Sequence, residues 1–180
     1  MKTLVINKDN LKEEEVVDTV TRVKCFIENG VGEVMLASTQ GGCMMLPGGH
    51  VEEGEDLTIA AQREVQEETG IVLGGEDFIA PFFEIKDYIK NYRGRGINRI
   101  ARMIYFHIRT DKQVDLSNTN MTEEEKSMGF FTTFVSPDSM REMLEKNIEH
   151  NEEEIYRVIS FETLRALNEF QSYKSTSSKK

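Results

Sequence analysis

The chain has 180 residues, with 22 basic against 32 acidic side chains and a net charge of −10. That length suits one domain with a full hydrophobic core, and the acidic balance argues against nucleic-acid backbones and anionic membranes as partners. Two cysteines, Cys25 and Cys43, are too few for a disulfide framework and lack the paired spacing of a zinc site, so reduced thiols are expected. The first nine residues lack the apolar run of a signal peptide, and no stretch approaches the ~20 apolar residues of a membrane span, which points to a cytoplasmic protein.

In residues 19–27, Val23, Cys25 and Ile27 alternate with Arg22, Lys24 and Phe26, the period of two that marks a strand with one face more buried. Asn29-Gly30 supplies turn chemistry before the apolar run Val34-Met35-Leu36-Ala37, which predicts a hairpin. The next loop holds Gly41, Gly42, Pro47, Gly48, Gly49 and Gly54, too many backbone-permissive residues for a regular element. Residues 57–69 form the clearest helix, rich in good helix formers and stopped by Gly70.

Two more strands are predicted over residues 82–89 and 100–108, joined by a basic loop. Ser136-Pro137-Asp138 has the cap, first-turn proline and early acid of a helix start, and Ile155, Val158, Ile159 and Leu167 mark a final amphipathic helix. The polar tail, residues 175–180, is expected to be disordered, which leaves one domain over residues 1–174. Strands interleaved with a few helices indicate an α/β sandwich.

The chemistry is concentrated between Gly49 and Ile71. On a helical wheel started at Leu57, Glu64 falls at about −20°, Glu68 at about +20° and Glu67 at about −80°, so three carboxylates share one flank. Leu57, Ala61 and Val65 occupy the same side, which puts Glu64 and Glu68 on the edge of the packing face. Like charges at this spacing repel, and partial burial adds a desolvation cost. Arg63 can satisfy one carboxylate, but Glu52 and Glu55 from the loop leave a surplus of hard oxygen donors, the ligand set of Mg²⁺ or Mn²⁺. Glycine at 49 lets the backbone come close, so its carbonyl could be a further ligand. The competing reading is a solvated acidic helix face; it explains poorly why the acids border the apolar side behind a glycine-rich acidic loop.

This stretch resembles the Nudix box, G-x5-E-x7-R-E-U-x-E-E-x-G-U with U aliphatic. Gly49, Glu55, Arg63, Glu64, Val65, Glu67, Glu68, Gly70 and Ile71 fill its defined positions, 23 residues of the chain in all. The resemblance implies a Nudix-type α/β/α sandwich with a mixed central sheet and a catalytic loop-helix-loop. It also implies metal-dependent hydrolysis of a nucleoside diphosphate linked to another moiety: a nucleoside triphosphate, ADP-ribose or a dinucleoside polyphosphate. Carried over by position, Glu67 and Glu68 are metal ligands, Glu64 a ligand or the base acting on water, the Gly49 carbonyl a further ligand, and Arg63 the group that orients a glutamate. The alternative is a nucleotide-sensing module that keeps the fold without catalysis. The resemblance also admits a homodimer.

Outside the box, Lys90, Arg93, Arg95, Arg99 and Arg102 form a basic run. It reads either as a loop that guides phosphates, with Arg93 and Arg95 as substrate contacts, or as an ordinary basic hairpin tip. Thr122-Glu123-Glu124-Glu125 reads first as a capping box; in Nudix proteins an acid outside the box can be the base, which makes Glu124 or Glu125 a second reading. Tyr88 lies loosely where dinucleoside-polyphosphate enzymes carry a tyrosine, and could contact substrate or belong to the core.

Overall fold

The computed structural model describes residues 1–177, the side chains of Glu124 and Ser177 excepted. Among the described residues the elements in chain order are β1 (Lys2–Ile6), β2 (Asp18–Glu28), β3 (Val34–Ser38), β4 (Met44–Met45), α1 (Leu57–Thr69), β5 (Phe78–Ile89), β6 (Arg99–Arg109), α2 (Glu123–Ser127), β7 (Phe131–Val135), α3 (Pro137–His150) and α4 (Glu154–Ser177). The strands make one mixed seven-stranded sheet in the order β1-β5-β6-β2-β3-β4, with β7 paired to β3. β1 runs parallel to β5 and β2 parallel to β6, whereas β5 and β6 are antiparallel.

The predicted hairpin closes between β2 and β3, but the two strands pair only at Glu28 and Val34, beside the turn. The edge of β2 that β3 leaves open is taken by the glycine-rich loop. The Cys25 N–H donates to the Pro47 carbonyl at 2.8 Å and the Val23 N–H to the Gly49 carbonyl at 2.9 Å, while the Val51 N–H donates to the Thr21 carbonyl at 3.0 Å. Irregular backbone is thus fastened to the sheet by the hydrogen bonds that a regular neighbour would have made.

Alternation along the strands divides the core into two layers. Val23, Cys25, Ile27, Ile104, Phe106 and Ile108 pack against Ala60, Ala61 and Val65 of α1. On the other face, Phe26, Phe83, Ile85 and Tyr105 pack against Met140 and Leu144 of α3 and Ala166, Leu167 and Phe170 of α4. The stronger burial expected for one face of β2 therefore fades toward its end, because Phe26 is covered as completely as Ile27.

Sequence periodicity missed β1 and β7. Both are only five residues long and bury only part of their surface, so the alternation is diluted. The final helix is also shifted from expectation. Leu167 is buried as expected, but Ile155 and Val158 are exposed, and α4 buries Ser160, Thr163, Ala166 and Phe170 beside Leu167. The tail expected to be disordered from Ser175 continues α4 to Ser177, and residues 178–180 lie outside the described residues.

The helix end is held by tertiary contacts that override its weak propensity. Lys174 pairs with Glu28, Glu28 also bonds Nε2 of His107 at 2.8 Å, and the rings of Phe170 and Tyr173 stand edge-on to His107. Among the described residues, no helix is long and apolar enough to cross a membrane.

Candidate active site

Both ends of α1 are fixed. Asp56 caps the first turn, accepting from the N–H groups of Thr58 at 2.8 Å and Ile59 at 3.3 Å. Gly70 ends it in the left-handed region at φ 72°, with its N–H donating to the Gln66 carbonyl. A side chain at 70 would run into the Asp115 backbone, and Asn118 donates to the Gly70 carbonyl at 3.0 Å, so the exit of the helix is clamped. The apolar stripe of α1 then fixes its rotation on the sheet. Glu64 and Glu68 end up buried, and the Glu67 side chain stays about one-third exposed at 31%, as the wheel predicts.

Arg63 organises the acids. Its Nε and Nη2 grip Glu55 at 2.9 and 3.0 Å, its Nη1 donates to Glu64 at 2.9 Å and Glu67 at 3.1 Å, and its Nη2 also donates to the His50 carbonyl at 2.9 Å. A guanidinium has five N–H donors, and these five bonds use all of them. The sequence suggested that Arg63 could satisfy one carboxylate; the structure shows it shared among three. The hydrogen bonds from Arg63 hold the Glu55 carboxyl below its ordinary range, and Glu55 in turn raises the Arg63 pKa further.

Glu68 and Glu64 close on the two glycines before the box helix. The Gly48 N–H donates to Glu68 at 2.9 Å, and the Glu64 carboxylate lies directly against the Gly49 Cα. Burial pushes the Glu68 carboxyl up to about 7, outweighing the pull of Lys24 and the Gly48 N–H. Burial likewise raises Glu64, against Arg63. Lys24 is a participant that sequence reading missed. From β2 its ammonium donates to the carbonyls of Gly48 at 2.7 Å and Leu46 at 3.2 Å, so Gly48 is held by Glu68 on its N–H and by Lys24 on its carbonyl. The available signal was a lysine and an arginine, Arg22, on a strand face that continues into the core.

The remaining predicted residues are dispersed. Arg93 and Arg95 lie on the exposed β5–β6 connection, Arg93 over the Tyr92 ring, and neither pairs with a carboxylate among the described residues. Arg99 and Arg102 are taken up by Asp18 and Glu84. The Tyr88 hydroxyl donates to Glu13 at 3.0 Å, on a different element from the box. Thr122 and Glu125 form the reciprocal capping box, and the Glu125 charge is near enough to act on Glu68. The Glu124 side chain lies outside the described residues.

Two concavities lie on the α4 side of the sheet. A small one of about 170 Å³ is lined by Arg22, Lys24, Met45, Leu46, Met103 and Glu162. Glu162 also lines a cleft of about 910 Å³ between β1, β5 and α4, which includes Asp87, Arg157, Phe161 and Arg165. A third cavity, about 1290 Å³, surrounds Glu28, His107 and Arg109, and no residue of the box lines any of the three. The small one meets the acid cluster through Lys24, whose ammonium bonds the Gly48 carbonyl and is near enough to act on Glu68.

Among the described residues, no three His, Cys, Asp or Glu groups converge as a preformed metal cluster. The carboxylates turn to Arg63 and the Gly48 N–H instead. Their chemistry nevertheless fits a hard divalent cation: the donors are oxygens, two of the carboxylates are desolvated, and the local guanidinium is already saturated.

The chain belongs to the Nudix family, a family of pyrophosphohydrolases that generally use a divalent metal: residues 18–167 match its domain model, described as NUDIX domain. No curated protein matches the chain. Among solved structures it is similar to a MutT protein from Methanosarcina mazei, at 22% identity and TM-score 0.51, covering 83% of this chain and 95% of that one. It is also similar to a NUDIX hydrolase from Nitrosomonas europaea, at 16% identity and TM-score 0.53, with 87% and 91% covered. A third, the E. coli dihydroneopterin triphosphate pyrophosphohydrolase, shares 14% identity at TM-score 0.50, with 81% and 95% covered. At these identities the likeness concerns the fold.

Proposed function

We propose that this protein hydrolyses the diphosphate linkage of a nucleoside diphosphate derivative, namely a nucleoside triphosphate, ADP-ribose or a dinucleoside polyphosphate. The observation that carries this reading is the surplus of carboxylate around Gly48 and Gly49. Glu55, Glu64, Glu67 and Glu68 face one saturated guanidinium and one ammonium that bonds carbonyls, so full ionisation calls for further positive charge. Glu64, Glu67, Glu68 and the Gly49 carbonyl would hold Mg²⁺ or Mn²⁺, which when bound supplies phosphate charge neutralisation and a lowered pKa for water.

The chain's own groups do the rest. A carboxylate takes the proton of the attacking water as the new P–O bond forms and the bond to the leaving phosphate breaks. Glu64 serves that role from inside the box; Glu125, or Glu124, would serve it from outside. Arg63 is a positioning residue, its fork fixing the rotamers of Glu64 and Glu67. Arg93 and Arg95 draw anionic substrate toward a protein of net charge −10. The 910 Å³ cleft, which Tyr88 also lines, offers room for the nucleoside part.

A nucleotide panel with Mg²⁺ and product identification tests the reaction and the bond cut. Glu67→Gln should abolish most turnover while the circular dichroism spectrum stays native. Near-normal turnover in that variant would reject the assignment, and ligand binding without turnover across the panel would indicate a sensor.

A further inference from the structure

We propose that Arg22 and Lys24, neighbours on one face of β2, are the protein cations that receive the substrate's phosphate oxygens beside the box. The proposal rests on the hydrolase reading above and adds two residues to it. Strand alternation turns both side chains away from the Val23 and Cys25 layer, and both line the 170 Å³ cavity. That volume is below the roughly 300–1,000 Å³ of a pocket for a whole drug-sized ligand, so it suits a phosphate-sized group. The adjoining cleft shares Glu162 with it and can take what the phosphates are attached to.

The hydrogen bonding of each cation supports this. Lys24 has three N–H donors; the carbonyls of Leu46 and Gly48 take two, and no third acceptor is found among the described residues. Through Gly48 the same ammonium is coupled to Glu68, and its charge acts on both Glu64 and Glu68. A phosphate held by Lys24 would therefore sit next to the acid cluster.

Arg22 is half-buried, yet among the described residues its guanidinium makes no hydrogen bond or ion pair. On the neighbouring strand, by contrast, Arg99 and Arg102 are each claimed by a carboxylate. Glu162 across the same cavity acts on Arg22 only at a distance, so in so acidic a chain an arginine with no carboxylate in hydrogen-bond reach beside a cavity indicates an anion that arrives from outside. Phosphate matches the planar fork of a guanidinium and the point charge of an ammonium.

The test is calorimetric binding of inorganic pyrophosphate, in the presence of Mg²⁺, to the wild type and to Arg22→Met, Lys24→Met and Lys24→Arg. Arg22→Met removes no bond within the protein, so it should keep the wild-type melting temperature while affinity falls by about tenfold or more. The salt dependence of binding should weaken with it. Lys24→Met should lose affinity similarly, and Lys24→Arg should restore most of it. If Lys24→Met fails to fold, Arg22→Met decides alone. Unchanged affinity in Arg22→Met, or no pyrophosphate binding by the wild type, overturns the proposal. A protein that binds pyrophosphate through these residues but cleaves no nucleotide would instead refute the hydrolase reading and leave the phosphate contacts standing.

Discussion

A methyl group placed on Gly49 would lie 2.5 Å from Oε2 of Glu64 and 2.8 Å from its carboxyl carbon. The carboxylate occupies the space that the missing Cβ leaves, so Glu64 is located by the absence of an atom as well as by its bond to Arg63. Gly49→Ala should therefore push Glu64 aside while the backbone keeps its bond to Val23. We expect a melting temperature close to that of the wild type and turnover reduced about 10²-fold, the cost of misplacing a reacting group by an ångström. Steady-state kinetics beside a thermal melt would separate the two effects, and full activity would mean that Glu64 has no fixed place in the reaction.

At the other end of α1 the same substitution should act on stability. Gly70 combines a positive φ with a Cβ position that falls on the Asp115 carbonyl, and backbone cannot step aside as a carboxylate can. Gly70→Ala is expected to cost about 2–4 kcal/mol in denaturant unfolding. Gly75→Ala, which meets nothing within 4 Å, should stay within about 0.5 kcal/mol. Equal effects at the two positions would contradict this account of the helix exit.

Arg63 offers a third measurement. Lysine has the charge but not the fork, and one ammonium cannot serve Glu55, Glu64, Glu67 and the His50 carbonyl together. Arg63→Lys should lose about 10–100-fold in activity with modest destabilisation. Arg63→Ala, which leaves three carboxylates without their common partner, should also lose about 1–3 kcal/mol, a figure reduced because the Arg63 side chain is a quarter exposed at 25%. Equal activity of the arginine and lysine forms would show that charge alone is required.

Acid should loosen the far end of the molecule through His107. Burial holds this imidazole below its ordinary pKa despite Glu28, because its Nδ1 is buried with no hydrogen-bond partner and a proton there would be stranded. Burial alone would raise Glu28, but the bonds from Lys174 and His107 outweigh it and hold the carboxyl low. Both folded-state values are depressed, so in each case the unfolded chain binds the proton first. Stability should fall as pH drops below about 6.5 on account of His107 and below about 4.3 on account of Glu28. His107→Gln, which keeps an N–H for Glu28 but does not titrate, should flatten the melting-temperature profile between about pH 7 and 5; an unchanged slope would remove His107 from the account.

Much of the local structure was legible in the residues. The bounds of α1 follow from its run of helix formers and the stop at Gly70, and the face of that helix follows from 3.6-residue periodicity, so the joint placement of Glu64, Glu67 and Glu68 needed no tertiary information. The starts of β2 and α3 were equally local, one from alternation and the other from the Ser136 cap. What could not be read was long-range. Lys24 lies 24 residues from Gly48, and only the departure of β3 from β2 brings the loop onto that edge. Ile155 and Val158 fit an apolar stripe but are left uncovered, while α4 is carried through Ser175 by Lys174, Phe170 and Tyr173. Periodicity and caps are properties of neighbouring residues, so the sequence alone determined the strongly patterned elements and the shape of the acid cluster, but not the short strands β1 and β7 or the buried face of α4. Which cation meets which carbonyl depends on how strands lie side by side, and only the tertiary structure decided that.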